Sequence, residues 1–324
     1  MTPKLSGILT TYNRADLLPK VLEGLTRQSL PRELFEILVI DDGSSDSTGQ
    51  VVDAFRSQLP LRYFFQENSG LAAAKNLGLD LAKGDIVVFM DDDDVPMPDF
   101  LAQHVTAHAK YPKENVAVLS YTGLADGLNR DLLMHFVTEV GCYLFGYNKI
   151  QFGELLDYTY FWGGRSSCKR MFLANHGIFD PRFRFGCEDI ELGYRLSRHG
   201  LQVRYHPLAK AEMVRRISLD QFVSRLHRQG ESQFYFSRMH PTAEVEQWCE
   251  IPIWRSEWEA TAPRYEAILR SAKNVQQLMT VRADNGLDVE HWNLALLHRA
   301  YWRAFRATKI KGIESARIAS STSH

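Results

Sequence analysis

Four consecutive aspartates, Asp91 to Asp94, are the residues of this sequence best suited to binding a divalent cation. They directly follow residues 86–90, an apolar run that is typical of a buried parallel strand. Adjacent carboxylates repel one another, so water or a cation must offset their charge. A solvated acidic loop is the alternative for the tetrad taken alone. An EF-hand calcium loop is disfavoured because its sixth-position glycine and its closing glutamate are missing.

A second acidic pair, Glu188 and Asp189, lies far from the tetrad in the sequence. Apolar residues recur four positions apart after it, which predicts a helix that begins at the pair. The helix dipole favours ionised carboxylates at this end, whereas their mutual repulsion opposes ionisation. If the helix packs on a sheet, the pair points towards the sheet edge. Capping of the helix is the structural alternative to a catalytic role.

The elements that must position the tetrad alternate along the first third of the chain. The sequence predicts strands at residues 5–11, 35–40, 61–65 and 86–90, with helices between them. Repeated strand–helix units imply right-handed crossovers and a parallel, doubly wound sheet. Polar residues follow every one of these strands, at the edge where open α/β sheets bind ligands. We therefore expect a nucleotide site there. Dinucleotide and P-loop sites are disfavoured because neither glycine motif is present.

Composition excludes several classes of function. The 324 residues are 45% hydrophobic and 24% charged, which is ordinary for a soluble globular protein. A net charge of −1 gives no electrostatic case for nucleic acid binding. The sequence shows no signal peptide, and no apolar stretch approaches the ~20 residues of a membrane span. Its four cysteines lie far apart, which favours reduced thiols in a cytoplasmic protein.

Several segments resemble family 2 of the nucleotide-sugar glycosyltransferases, whose members have the GT-A fold. In chain order they are TTYNR at 10–14, VIDDGSSDST at 39–48, NSGLAAAKNLGL at 68–79 and FMDDDDVPMP at 89–98. The last of these carries the family's Asp-x-Asp motif as Asp91, Asp92 and Asp93. Residues 162–200 resemble the family's acceptor-side segment, with its Glu–Asp motif at Glu188 and Asp189. The resemblance fades after about residue 215.

The resemblance implies an α/β chain with the GT-A (Rossmann-like) fold, a mainly parallel sheet flanked by helices and a helical C-terminal extension. Its implied divisions are a donor-binding half at 1–110, an acceptor-binding half at 111–215 and the extension at 216–324. The implied activity is that of a metal-dependent inverting glycosyltransferase of the hexosyltransferase type. It would move a sugar from a nucleotide-diphosphate sugar, with UDP favoured, to a hydroxyl of a saccharide or glycoconjugate acceptor. Synthesis of surface polysaccharide or glycoconjugate is the implied setting.

Residue roles also follow from the resemblance, position by position. Asp91 and Asp93 would hold Mg²⁺ or Mn²⁺ at the donor diphosphate. Asp189 would be the general base, with Glu188 beside it as the second catalytic residue. The nucleotide sugar would contact Thr11, Tyr12, Arg14, Asp41, Asn68, Lys75 and Asp92. The acceptor would lie against Trp162, Gly163 and Gly164, although a tryptophan in the core is an equal alternative for Trp162.

Two positions depart from the family pattern. Met213 stands where many members have a metal-binding histidine, and methionine is a poor ligand for a hard cation. Either His206 or Glu212 substitutes for it, or water completes the shell, or metal binding is weaker. Lys75 stands where arginine is commoner and would give the diphosphate a point charge in place of a fork.

The C-terminal part reads as aromatic and basic helices, the last of them at residues 289–306. Packing of their aromatic face on the catalytic domain or in a homodimer is favoured over contact with an anionic membrane surface. Residues 315–324 are predicted to be disordered. Two other functions stay open: a non-catalytic scaffold that binds nucleotide sugars, and a sugar-phosphate nucleotidyltransferase. The second would need a glycine-rich loop after the first strand, where this chain has residues 10–14.

Overall fold

The apolar runs of the N-terminal third form parallel strands, as the sequence predicts. The structure, a computed structural model, describes residues 2–285 and 291–321. These residues divide into two compact units. The first unit contains the residues up to Asp126 together with Tyr147–Arg215. The second contains Gly127–Gly146 together with the described residues from Arg216 onward.

One mixed sheet organises the first unit. Its nine strands are β1 (Leu5–Thr11), β2 (Phe35–Asp41), β3 (Leu61–Phe65), β4 (Ile86–Asp91), β5 (Asp94–Pro96), β6 (Val116–Leu124), β7 (Leu155–Leu156), β8 (Ser166–Lys169) and β9 (Gln202–Met213). The order across the sheet is β3-β2-β1-β4-β8-β6-β9-β5, and β7 pairs with β9. β1 to β4 pair in parallel, whereas β8 runs antiparallel to both β4 and β6. The predicted parallel half is therefore confirmed. The other half is mixed because a loop leads into β8, so the chain is free to reverse direction.

The helices of the first unit cover both faces of this sheet. They are α1 (Leu18–Thr26), α2 (Thr48–Phe55), α3 (Leu71–Leu81), α4 (Phe100–Lys110), α6 (Arg170–His176) and α7 (Glu188–Ser197). Successive residues of β1 point to opposite faces, so Ile8 joins one apolar cluster and Leu9 the other. Gly78 of α3 lies directly on Ile8, where a Cβ atom would overlap the isoleucine side chain. This close approach packs α3 tightly against β1.

The second unit is helical. Its helices are α5 (Leu132–His135), α8 (Leu219–Met239), α9 (Ala243–Trp248), α10 (Trp254–Thr261), α11 (Tyr265–Asp284) and α12 (His291–Ser321). A capping box begins α8, in which the Ser218 hydroxyl accepts from the Gln221 backbone N–H and the Gln221 side chain accepts from the Ser218 N–H. α8 and α12 cross at Gly230 and Gly312, where a Cβ atom on either residue would overlap a backbone carbonyl of the other helix.

Residues 127–146, which the resemblance assigns to the acceptor-binding half, pack within the second unit. The Phe136 ring lies 5.0 Å from the Tyr301 ring and 5.9 Å from the Phe305 ring, so the aromatic face of α12 covers it. The prediction of a disordered tail is wrong up to Ser321. Ile313 and Ala316 are buried, and their burial keeps α12 helical. Residues 322–324 of that predicted tail lie outside the described residues.

Within the described ranges, no helix combines the length and apolar character needed to span a membrane. Contact of the C-terminal helices with a membrane surface or a second copy stays a prediction.

Candidate functional site

The carboxyl ends of the first four strands meet at one edge of the sheet. The Asp42 backbone N–H donates to the Thr11 carbonyl at 2.9 Å, and the Gln66 N–H donates to the Asp41 carbonyl at 2.9 Å. Asp91 is the last residue of β4 and pairs with Thr10 of β1. The polar residues that follow these strands are therefore neighbours, as open α/β sheets require.

Each aspartate of the tetrad faces an arginine. Arg165 bridges two of them, with Nη1 at 2.9 Å from Asp91 Oδ2 and Nη2 at 2.8 Å from Asp94 Oδ2. Arg14 Nε lies 3.4 Å from Asp92 Oδ1, and Arg215 Nη1 lies 3.5 Å from Asp93 Oδ2. Among these arginines, only Arg14 was a candidate from the sequence. Arg165 gave no signal there, because its place depends on β8 entering the sheet beside β4.

The arginines do not fully offset the cost of ionising the tetrad, because three of its carboxyl groups have raised pKa values. Burial, and after it the charge of Asp93, raise the pKa of Asp92 to about 7 against the opposing charge of Arg14. Burial, together with the charge of Asp91, also raises the pKa of Asp93. The same causes, with the charge of Asp93 added, hold the pKa of Asp94 well above its usual range. An additional cation next to these carboxylates would favour their ionised forms.

The tetrad fits a hard divalent cation that is shared with a bound phosphate. Asp91 and Asp93 offer carboxylate oxygens, the ligands that Mg²⁺ and Mn²⁺ prefer. Asp94 Oδ1 is buried and accepts no hydrogen bond from the described residues, so one oxygen of the tetrad has no partner among them. No group of three or more His, Cys, Asp or Glu side chains in the described ranges is arranged to hold a metal. Magnesium commonly binds through one or two carboxylates together with substrate phosphates, which matches such a donor set.

The residues considered as substitutes for the missing histidine have other partners. Met213 is buried at the end of β9, where it pairs with Asp94 of β5. Glu212 lies 3.6 Å from Lys210 Nζ. His206 Nε2 lies 3.0 Å from Gln103 Oε1. In the structure, His206 and Glu212 therefore make these contacts outside the tetrad.

The predicted nucleotide contacts divide into fixed and exposed groups. Asp41 is buried, and its carboxylate accepts from the Tyr63 hydroxyl at 2.7 Å and from the Ser44 N–H at 2.8 Å. Thr11 is also buried, whereas Tyr12 is 48% exposed. A nucleotide base could stack on the exposed Tyr12 ring and donate a hydrogen bond to the fixed Asp41 carboxylate.

Asn68 holds the loop that leads into α3. Its side-chain N–H donates to the Asp42 carbonyl at 2.9 Å. The Asp42 carboxylate in turn accepts from the backbone N–H groups of Ser69 and Gly70, both at 2.9 Å. The geometry gives Asn68 and Asp42 a positioning part at the sheet edge.

Asp189 lies in the first turn of α7, as its predicted helix requires. Its carboxylate accepts from the Gly163 N–H at 2.8 Å and from the Ile190 N–H at 2.8 Å. Burial, and after it the charge of Glu188, raise the pKa of Asp189 to about 6 against the opposing charge of Lys75. A carboxylate with a pKa near 6 is a stronger base than an exposed aspartate and is still ionised at neutral pH.

The tetrad and the Glu–Asp pair come together at Gly163 and Gly164. A Cβ atom on Gly164 would overlap the Asp91 carboxylate. A Cβ atom on Gly163 would lie 3.0 Å from Asp189 Cβ and 2.6 Å from Lys75 Nζ. Asp91 and Asp189 thus flank the same dipeptide, and side chains there would separate or displace them.

Trp162 is packed against its neighbours on one part of its ring and exposed on another. Its indole N–H donates to the Thr159 carbonyl at 2.9 Å, and its ring stacks on Tyr160 at 5.6 Å. The side chain packs on the edge of an apolar cluster and is only partly buried. A part of the ring therefore stays available to a ligand beside Gly163.

Comparison with known proteins gives a family match. The profile described as "Glycosyl transferase family 2" matches residues 6–178, which is more than half of the chain. Validoxylamine A glucosyltransferase of Streptomyces hygroscopicus subsp. jinggangensis is 33% identical over 222 residues, covering 61% of this chain and 52% of that protein. Chondroitin synthase of Escherichia coli is 29% identical over 228 residues, covering 62% of this chain and 33% of the synthase. The chain thus matches about half, or less, of the length of these relatives.

Solved structures show the same fold. A mannosyltransferase of Pyrobaculum calidifontis, solved in complex with GDP-Man and Mn²⁺, superposes with a TM-score of 0.61 at 19% identity, covering 98% of this chain and 88% of that one. Residues 1–349 of Staphylococcus aureus TarS, solved in complex with UDP, give a TM-score of 0.55 at 18% identity, covering 98% of this chain and 92% of that one. At this identity the likeness concerns the fold alone, and it confirms the predicted GT-A architecture with a helical C-terminal region.

Proposed function

The chain belongs to glycosyl transferase family 2, and we propose that it transfers a sugar from a nucleotide-diphosphate sugar to a hydroxyl group of a saccharide or glycoconjugate. The observation that carries this proposal is the placing of Asp91 and Asp189 on the same glycine dipeptide. A donor diphosphate at the tetrad and an acceptor hydroxyl at Asp189 would then both lie next to these two glycines. A UDP-sugar donor and inversion at the anomeric carbon are part of the proposal.

Asp189 acts as the general base in this scheme. Two backbone N–H groups fix its carboxylate, so its free lone pairs point in a defined direction. It takes the proton from the acceptor hydroxyl while that oxygen attacks the anomeric carbon, an effect worth typically ~10²–10⁴ in rate. Attack from the side opposite the leaving diphosphate inverts the configuration.

The donor half of the site would stabilise the negative charge of the leaving diphosphate. Asp91 and Asp93 would hold Mg²⁺ or Mn²⁺, which when bound supplies Lewis-acid stabilisation of the leaving diphosphate. Arg14 and Arg165 keep permanent positive charge beside the tetrad. The Asp41 carboxylate would accept from the base, with Tyr12 against the ring and Asp92 at the ribose.

A thermal-shift panel of nucleotide sugars, with and without Mn²⁺, tests donor binding directly because stabilisation follows ligand affinity. We expect a UDP-sugar to stabilise the protein most, and only with Mn²⁺. Asp93→Ala should lose the metal-dependent part of the shift. Asp53→Ala, which removes an exposed carboxylate paired with Arg56, is the matched control and should keep it.

Asp189→Asn separates catalysis from binding. It should keep the donor-dependent thermal shift. It should lose both sugar transfer and the slow, Mn²⁺-dependent hydrolysis of the donor. Wild-type turnover in Asp189→Asn would contradict the assignment of the base. Donor binding without hydrolysis or transfer in the wild-type protein would instead identify a non-catalytic scaffold. Pyrophosphate release from a nucleoside triphosphate would identify a nucleotidyltransferase.

A further inference from the structure

Lys75 is buried against the catalytic pair. It lies in α3 and is 2% exposed, and its ammonium nitrogen lies 3.0 Å from Glu188 Oε1 in α7. The same nitrogen lies 5.1 Å from the centre of the Phe179 ring. A buried ammonium group is costly unless it is paired, so Glu188 and Phe179 together hold it in place. Reaching a diphosphate would require Lys75 to leave this ion pair.

Lys75 also faces Asp189 across Gly163. The position that a Gly163 Cβ atom would take is 2.6 Å from Lys75 Nζ and 3.0 Å from Asp189 Cβ. The charges of Glu188 and Lys75 both act on Asp189, and the charge of Asp91 at the end of β4 also acts on Lys75. Glu188 favours the protonated form of Asp189, and Lys75 favours its ionised form.

We propose that Lys75 is a positioning residue that orients Glu188 and keeps Asp189 ionised, and that it is not a ligand of the donor diphosphate. This role rests on the proposed function, in which Asp189 is the general base. It follows that the charges of Lys75 and Glu188 act as one unit with opposite effects on the base. Removing either charge alone shifts the protonation of Asp189, whereas removing both leaves it nearly unchanged.

The pH profile of kcat/KM tests this role, because its acid limb reports the ionisation of the base in the free enzyme. Lys75→Met removes the cation at similar length, and we expect the acid limb to move to higher pH by on the order of one unit. Glu188→Gln removes the anion but keeps an oxygen for Lys75, and we expect a move to lower pH. The double variant Lys75→Met/Glu188→Gln should return the limb towards its wild-type position. A structural defect alone would not produce shifts of opposite sign that cancel.

Two results would overturn the role of Lys75. The first is an unmoved acid limb in both single variants. The second is a Lys75→Met variant whose only change is a raised KM for the donor, as expected of a diphosphate ligand. If Lys75→Met does not fold, Glu188→Gln and the double variant still carry the test. Activity in Asp189→Asn would refute the proposed function itself, so the two failures are distinguishable.

Discussion

Gly164→Ala tests the convergence of the two acidic groups at the least cost to the fold. The added methyl group would overlap the Asp91 carboxylate, which is the end of a flexible side chain. An ordinary contact needs about 3.5 Å, so the carboxylate must retreat by roughly 1 Å or more. Asp91 then gives up much of its 2.9 Å contact with Arg165. At an effective dielectric constant near 20, lengthening this ion pair to ~4 Å costs about 1–2 kcal/mol.

The larger effect of Gly164→Ala falls on catalysis. A displacement of ~1 Å at a reacting group costs about 10²-fold in rate. We therefore expect kcat/KM for sugar transfer to fall ~10–100-fold, with a raised Mn²⁺ requirement, while the protein stays folded. Gly146→Ala is the matched control, because a Cβ atom there meets nothing within 4 Å.

Steady-state kinetics over a Mn²⁺ titration, with thermal melts of each variant, measure both effects of Gly164→Ala. Wild-type kcat/KM and an unchanged Mn²⁺ dependence in Gly164→Ala would refute the placing of Asp91 on this glycine. A fall of equal size in Gly146→Ala would show that the loss has no local cause.

Two further predictions concern stability. Burial lowers the pKa of His108 from its ordinary 6.5 to about 3, so its contribution is complete above pH 6.5 and falls by ~1.4 kcal/mol for each pH unit below it. Urea unfolding between pH 7 and 5 should therefore show a shallower acid loss in His108→Gln than in the wild-type protein, and equal slopes would contradict this. The comparison between variants isolates His108 from the buried carboxylates, whose raised pKa values act in the opposite direction. Gly230→Ala should destabilise the second unit by about 1–3 kcal/mol, because the carbonyl of Lys309 that it would overlap is backbone and cannot turn aside. Unchanged urea unfolding of Gly230→Ala would show that α8 and α12 can move apart to admit the methyl group without loss of stability.

The sequence predicts the parallel half of the sheet because local patterns decide it. Each apolar run of β1 to β4 ends in polar residues, and the strand ends determine where those residues lie. It misses Arg165, since its contact with Asp91 depends on the antiparallel entry of β8, and no local periodicity reports strand order. It also gives no sign of the ion pair between Lys75 and Glu188, because that contact joins residues 113 positions apart.

The extent of α12 was underestimated for a related reason. A helix over residues 289–306 is visible as a pattern, and its first two residues lie outside the described ranges. The helix continues to Ser321 because Ile310 and Ile313 are buried within the second unit. The composition of residues 315–324 is typical of a polar tail. Burial by a helix distant in sequence produces no pattern within that segment from which it could be predicted.

The packing of Phe136 against Phe305 has a consequence for synthesis on the ribosome. Phe136 leaves the exit tunnel about 170 residues before its partner, an interval of roughly 10–30 s at ordinary translation rates. During that time residues 127–146 have no α12 to cover them, and once Met213 has followed, the strands on either side are complete while this segment still waits for its partner helix. The nascent chain therefore exposes this apolar segment transiently. A stop codon after residue 215 would leave the segment permanently without α12.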